Sequence, residues 1–412
     1  MRTYILVIAT LLLLAVPTRS QVHMCLECHQ SFEDEDDGAS WMIELDIHHQ
    51  KGLSCAACHG GDPALDDMDD VREVADYRGV PDHTEVPQFC ARCHSDAVYM
   101  RNHNPNLPTD QLAQYKTSTH GKLLLERGND DVANCVSCHG VHEINNARLP
   151  HSPTHPLNLP QTCANCHADP EHMAGYDIPT DQFELYSQSV HGRALLERED
   201  LGAPACNDCH SNHGASPPGV ENLTYVCGNC HAVQEELFEA SPHWPAFTEN
   251  DFPMCQTCHS NHLVKRTHDG LVGDEEPAYC IECHYEGDDT EGIPTARGMH
   301  TALVSLATEY DSSRAVVAEA EAKGMMVTDE TFLLKEMGQV LIQARTQVHA
   351  FVLDSVTSKT EIGLAKADTV QANAASLIDE YYFRRKGLGL ATLFITILVV
   401  TLWLRIRKME RK

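Results

Sequence analysis

The pattern of apolar and polar positions divides the chain into stretches of different character. Gly387 to Leu404 is an uninterrupted run of 18 residues without a charge, long enough to cross a bilayer as a helix and apolar on every side. Arg384, Arg385 and Lys386 precede it; Arg405, Arg407, Lys408, Arg411 and Lys412 follow it. The larger basic cluster lies on the C-terminal side, which predicts that 405–412 is a cytoplasmic tail and that everything before the helix is held outside. Near the other end a shorter apolar run, Tyr4 to Val16, follows Arg2 and gives way to Pro17-Thr18-Arg19-Ser20. That is the layout of a signal peptide over 1–20, cleaved after Ser20, with an uncleaved anchor as the alternative.

Between these runs the periodicity changes once. In 299–386, Met337, Val340, Leu341, Ala344, Val348 and Phe351 recur every three or four positions, the spacing of one helix face. Gly324 marks a stop and Thr328-Asp329 a start, so two or three amphipathic helices are expected, packing on what precedes them and leading into the membrane helix. His349 lies in this region, and its expected role is structural, the alternative being that it reaches back to a metal centre. Residues 21–298 carry no sustained period. Strand-like runs are scarce and aromatic residues are 6% of the chain, so the expected fold is mainly α with much irregular loop, and its buried surface must come from elsewhere.

The cysteines supply the reason. All 18 fall in Cys-x-x-Cys-His pentapeptides, and none is left over. The pairs are Cys25 and Cys28, Cys55 and Cys58, Cys90 and Cys93, Cys135 and Cys138, Cys163 and Cys166, Cys206 and Cys209, Cys227 and Cys230, Cys255 and Cys258, and Cys280 and Cys283. The closing histidines are His29, His59, His94, His139, His167, His210, His231, His259 and His284. Structural zinc has no reason to place a histidine directly after the second cysteine nine times, and a disulfide framework has no need of the histidine at all. The pentapeptide is the signature of covalent haem c attachment: two thiols three positions apart add to the two vinyl groups of one porphyrin, and the adjacent imidazole ligates its iron. Nine haems over 21–298 leave about 31 residues each, too few for private hydrophobic cores. The porphyrins are therefore expected to provide the core of a nonahaem domain and to lie close together. Covalent haem attachment in bacteria occurs after export, in agreement with the signal sequence.

Internal repetition nominates the second axial ligands. Pro108-Thr109-Asp110-Gln111 recurs 71 positions later as Pro179-Thr180-Asp181-Gln182; Tyr115, His120, Gly121, Leu124, Leu125, Glu126 and Arg127 recur as Tyr186, His191, Gly192, Leu195, Leu196, Glu197 and Arg198. The motifs at Cys135 and Cys206 keep that offset, as do His142 and His213. Shorter versions carry His243 before Cys255 with His262 after it, and His48-His49 before Cys55. This gives four two-haem modules behind a leading haem at Cys25. The candidate distal ligands are His48, His49, His120, His142, His191, His213, His243, His262 and, just after the last motif, His300. His142, His213 and His262 are tethered too closely to their own motif to curl over it and are expected to serve a neighbour. His23, His83, His103 and His349 are weaker candidates, and His151, His155, His172 and His268 lie in loop-like sequence without assignment.

The nine motifs, the Ser-x-His-Gly element before a motif and the Cys-His-x-x-His element after it resemble the bacterial multihaem cytochromes c of the cytochrome c3 and doubled-motif type. The helices after the last motif are loosely similar in placement to those of the pentahaem nitrite reductase and octahaem hydroxylamine oxidoreductase group. The resemblance implies a relay of electrons from a membrane, quinol-linked donor such as a quinol-oxidising respiratory subunit to periplasmic or extracellular acceptors, among them small periplasmic or outer-membrane cytochromes. It places the chain in the cytoplasmic membrane with its haem domain in the periplasm. The alternative is a reductase or oxidoreductase acting on nitrite, hydroxylamine or a sulfur oxyanion at a five-coordinate haem, which the absence of any Cys-x-x-Cys-Lys speaks against. A net charge of −30, with acidic runs at Glu33 to Asp37 and Asp62 to Asp76, excludes nucleic acid as a partner and favours a basic protein.

Overall fold

The computed structural model describes residues 24–31, 42–216, 225–288 and 290–411. The signal-sequence reading of 1–20, His23 and the acidic run at 33–37 lie outside the described residues. Among the described residues the regular elements are helices and short helical turns, with no strand. The chain is thus mainly α, as its composition suggests. It divides into two compact units: one holds the described residues up to 216 together with His262–Val264, the other the rest from 225 onward. Six motifs belong to the first and three to the second, so the last three share a unit with the helices that follow them.

The first unit is built from helices of nine residues or fewer joined by loops. Its described apolar cluster is small: Tyr115, Leu124 and Val132, with Leu123 and Tyr176 against it. A stretch this long that buried only its own side chains would be under-filled by ordinary standards.

The second unit contains a three-helix bundle with a conventional core. Its helices are Gly292–Ala322, Thr328–Gln347 and Leu353–Glu410. The first ends just before Gly324, whose φ of +79° suits glycine, and the second starts at Thr328 with Asp329 and Glu330 in its first turn, so the stop and the start fall at the expected residues. The first helix begins at Gly292, seven residues before the expected 299. Met299, Leu303, Leu306, Met337, Leu341, Ala344 and Val356 form one core layer; Val317, Ala320, Val327, Leu334, Val370 and Ala374 form the next. The first and third helices run parallel, since Gly298 faces Leu353, Gly363 faces Leu306 and Gln371 donates to Glu309 at 2.8 Å. A Cβ on Gly363 would lie 2.5 Å from Leu306 Cδ1; the buried Leu306 side chain packs into the space that glycine leaves.

The third helix does not stop before the apolar run. It continues through it to Glu410, 58 residues in all, or about 87 Å at 1.5 Å per residue. Its most apolar 18-residue window has a mean hydropathy of 2.3 and no buried residue. Among the described residues there is thus one helix long and apolar enough to cross a membrane, continuous with the bundle.

Candidate cofactor-binding site

Six of the nine motifs take one of two local forms, set by the residues around them; those at Cys227 and Cys280 begin on the short 3-10 turns Val226–Asn229 and Tyr279–Glu282, and the one at Cys25 lies in the helix Met24–Ser31. Cys55–His59, Cys135–His139 and Cys206–His210 are five-residue helices, and Gln256–His259 is the same turn one residue shorter. One helical turn brings cysteines three apart to one side. Each of these turns is ended by a residue at positive φ: Gly60 at +71°, Gly140 at +76°, Ser211 and Ser260 at +63°. At Gly60 the requirement is also steric, because a Cβ would lie 1.8 Å from the Asp76 carbonyl oxygen. The alternate motifs at Cys90 and Cys163 instead close nine-residue helices, Val86–His94 and Leu159–His167, each with proline in its first two positions, where a missing N–H costs nothing.

The Ser-x-His-Gly element has a physical reading. Ser118 ends one helix and caps the next: its hydroxyl donates to the Tyr115 carbonyl at 2.6 Å and accepts the Gly121 N–H at 2.9 Å. Ser189 accepts from Gly192 at 2.9 Å in the same way. The bend presses glycine onto the preceding turn, so that a Cβ on Gly121 would meet Tyr115 O at 1.8 Å, and one on Gly192 would meet Tyr186 O at 1.9 Å. The two tyrosines in turn donate to the carbonyls of Ala133 (2.9 Å) and Pro204 (2.8 Å), just before Cys135 and Cys206. Serine, glycine and tyrosine thus fix the helices carrying His120 and His191 relative to the next motif.

These elements bring motif imidazoles and non-motif imidazoles together in pairs. Ring centroids lie 5.8 Å apart for His94 with His48, 6.0 Å for His59 with His142, 6.0 Å for His167 with His120 and 6.1 Å for His139 with His213. They lie 5.9 Å apart for His210 with His262, 5.9 Å for His284 with His243 and 6.1 Å for His259 with His349. Two imidazoles bound through nitrogen on opposite sides of one metal ion, each at about 2.0 Å, put their ring centres about 6 Å apart. Seven motifs meet that spacing. The interplanar angles spread from 15° to 85°, as free rotation about a shared axis would give.

The far nitrogen of several rings is tied down. Nδ1 of His59 donates to Gly79 O at 2.7 Å, Nδ1 of His349 to Thr346 O at 3.0 Å and Nδ1 of His210 to Ser216 O at 3.3 Å. Nδ1 of His48 lies 2.9 Å from Asp46 Oδ1, and that of His284 lies 3.2 Å from Asp288 Oδ2. Bonding at Nδ1 fixes the tautomer and leaves the Nε2 lone pair for a metal. Burial pushes His94, His120, His139, His243, His259 and His262 below the ordinary imidazole range, and the facing imidazole adds to it. Burial likewise lowers His167, His213 and His349. Neutral imidazole is the ligating form.

The thiols of successive motifs also meet. The Cys90 thiol lies near that of Cys135, Cys163 near Cys206 and Cys227 near Cys255, each pair raising one thiol's pKa, and none of the 18 forms a disulfide. Among the described residues no three His, Cys, Asp or Glu side chains converge on a metal-holding point. A zinc site needs such a cluster; a porphyrin brings four nitrogens of its own and asks the protein for two.

Of the candidate distal ligands, His48, His120, His142, His213, His243 and His262 face motif imidazoles. His49 lines a pocket with Leu26, Gly52 and Cys55, next to the leading motif. His191 is half-buried on the turn capped by Ser189. His300 is bonded through Nδ1 to the Asp269 carbonyl at 3.1 Å. Among the weaker candidates, His83 contacts Val132 O at 2.9 Å and His103 stacks on Tyr99 at 4.4 Å. His349, whose expected role is structural with ligation as the alternative, faces His259. Comparison with known proteins finds no matching family model, curated protein or solved structure.

Proposed function

We propose that each Cys-x-x-Cys-His motif holds a covalent haem c and that the protein is a membrane-anchored, nine-haem electron relay. The observation that carries this reading is the set of seven imidazole pairs at 5.8–6.1 Å, each joining one motif histidine to one non-motif histidine. In each motif the two thiols would become thioethers by adding S–H across the vinyl groups, with the closing imidazole as one iron ligand; in the seven paired motifs the facing imidazole would be the other. The haem irons supply reversible one-electron chemistry. The chain's own part is to fill both axial positions, hold the ligands rigid from the Nδ1 side and exclude water, which favours transfer over substrate turnover. Contact between thiols of successive motifs supports close spacing of the centres.

The exposed apolar helix with its heavier basic flank on the C-terminal side supports a single-pass anchor with the motifs outside the cytoplasm. In that compartment a basic electron-transfer protein is the electrostatic complement of a chain of charge −30, and a quinol-linked respiratory subunit is the proposed donor. Intact mass and electron paramagnetic resonance of the oxidised, purified protein test the reading together. The expected outcome is a mass above the mature polypeptide by nine haems and spectra dominated by low-spin ferric iron. A protein with zinc or without haem, or one with a high-spin iron that turns over nitrite or hydroxylamine rapidly, overturns it.

A further inference from the structure

The helical bundle looks like a packing and anchoring element, yet one of its turns reaches a motif. Where the second helix ends, Val348–Ala350 forms a short helical turn, and Phe351 reverses the chain at φ +51° before the membrane-directed helix starts at Leu353. His349 sits on that turn. Its Nδ1 donates to the Thr346 carbonyl at 3.0 Å, and its ring faces that of His259 at 6.1 Å with 30° between the planes. Two residues on, the Phe351 ring lies 4.0 Å from that of His243, which itself faces His284. One turn thus touches the ligand sets of the last two motifs.

The pattern in the earlier motifs shows why a residue is needed there. His59, His139 and His210 each face a histidine three residues beyond the closing histidine of a later motif: His142, His213 and His262. His259 is the next of this kind, and the motif after it cannot serve, since His284 is followed by Tyr285, Glu286 and Gly287. We infer that His349 is the second axial ligand of the iron attached at Cys255 and Cys258, so that the bundle closes the haem array and ties its last centres to the membrane helix. The inference rests on the haem reading of the motifs. It makes the bundle part of the redox unit, with three residues between a haem ligand and the start of the helix that enters the bilayer.

The test uses the full-length protein. In His349→Ala the haem count by mass should stay at nine while one iron in nine changes from low to high spin; added imidazole should restore the low-spin state. His349→Met should keep that iron six-coordinate and raise the potential of one step in a redox titration. His151→Ala, at an exposed histidine whose Nε2 lies 3.2 Å from Asn145 Oδ1, should leave all spin states unchanged. Nine haems, all low-spin, in His349→Ala would overturn this inference alone. A wild-type protein lacking haem would overturn it together with the reading beneath it.

Discussion

Asp46 holds the ring of His48 in place: its Oδ1 accepts from the His48 backbone N–H at 2.8 Å and lies 2.9 Å from Nδ1, while Oδ2 accepts from the Ile144 N–H at 2.9 Å. Asp46 is 3% exposed, so water competes little for its oxygens. Asp46→Ala should cost about 1–3 kcal/mol for each donor left unsatisfied. In the haem-loaded protein it should also raise the midpoint potential of one centre, because the imidazole facing His94 loses the carboxylate that makes it electron-rich. Asp46→Asn keeps an acceptor and should show both effects weakly. Urea titration and potentiometry measure them; an unchanged redox titration in Asp46→Ala would remove the orienting role.

Gly121 and Gly192 are expected to be the least replaceable glycines of the repeat. Alanine at either would push a Cβ within 1.8–1.9 Å of a tyrosine carbonyl, and relief requires opening the bend at Ser118 or Ser189. The expected loss is about 3 kcal/mol or more, with displacement of the adjacent histidine. Gly128 is the contrast. Its φ is +65°, but a Cβ there would have nothing within 4 Å, so Gly128→Ala should cost about 1 kcal/mol. Comparable losses at Gly121 and Gly128 in denaturant melts would contradict the steric account.

A stop codon after Lys386 removes 387–412 and leaves the bundle core intact, since its last buried residue is Ala374. The shortened protein should be recovered from the aqueous fraction with its full complement of haem and with unchanged spectra. The full chain should resist carbonate extraction. Retention of the shortened form on membranes would place the anchor elsewhere in the chain.

The motifs, the repeat and the bundle were legible because each leaves a pattern that survives without a partner: a fixed pentapeptide, an offset of 71, a period of three to four. The Ser-x-His-Gly element was legible as a repeat, but its cause, the contact of Gly121 with Tyr115 O, emerges only in three dimensions. His349 was legible only as a weaker candidate. It lies on a turn between two amphipathic helices, in a stretch with no repeat of the motif region, and its local sequence fits a structural histidine equally well. The continuity of the third helix was hidden for a similar reason: an amphipathic pattern giving way to an all-round apolar one reads as two segments, although nothing between Leu353 and Glu410 forces a break. What sequence periodicity reports is which face is buried, and a helix that leaves its bundle changes that answer midway.

The most discriminating prediction concerns which iron a given histidine serves. His142 is three residues from His139, too close to curl over a haem at Cys135 and Cys138, so the sequence leaves open which neighbour it would serve. The geometry sets it against His59, 6.0 Å away, while His139 faces His213. His142→Ala should therefore convert the iron attached at Cys55 and Cys58 to high spin and leave its sequence neighbour untouched. Removing that haem separately, with Cys55→Ala and Cys58→Ala, provides the second arm of a double-mutant cycle. In that background the protein should carry eight haems, and adding His142→Ala should produce no further high-spin iron. Adding His213→Ala should still produce one, because its partner is the haem at Cys135. A high-spin signal from His142→Ala that persists after the Cys55 haem is gone would assign His142 to a different iron and break the interlocked order of ligands.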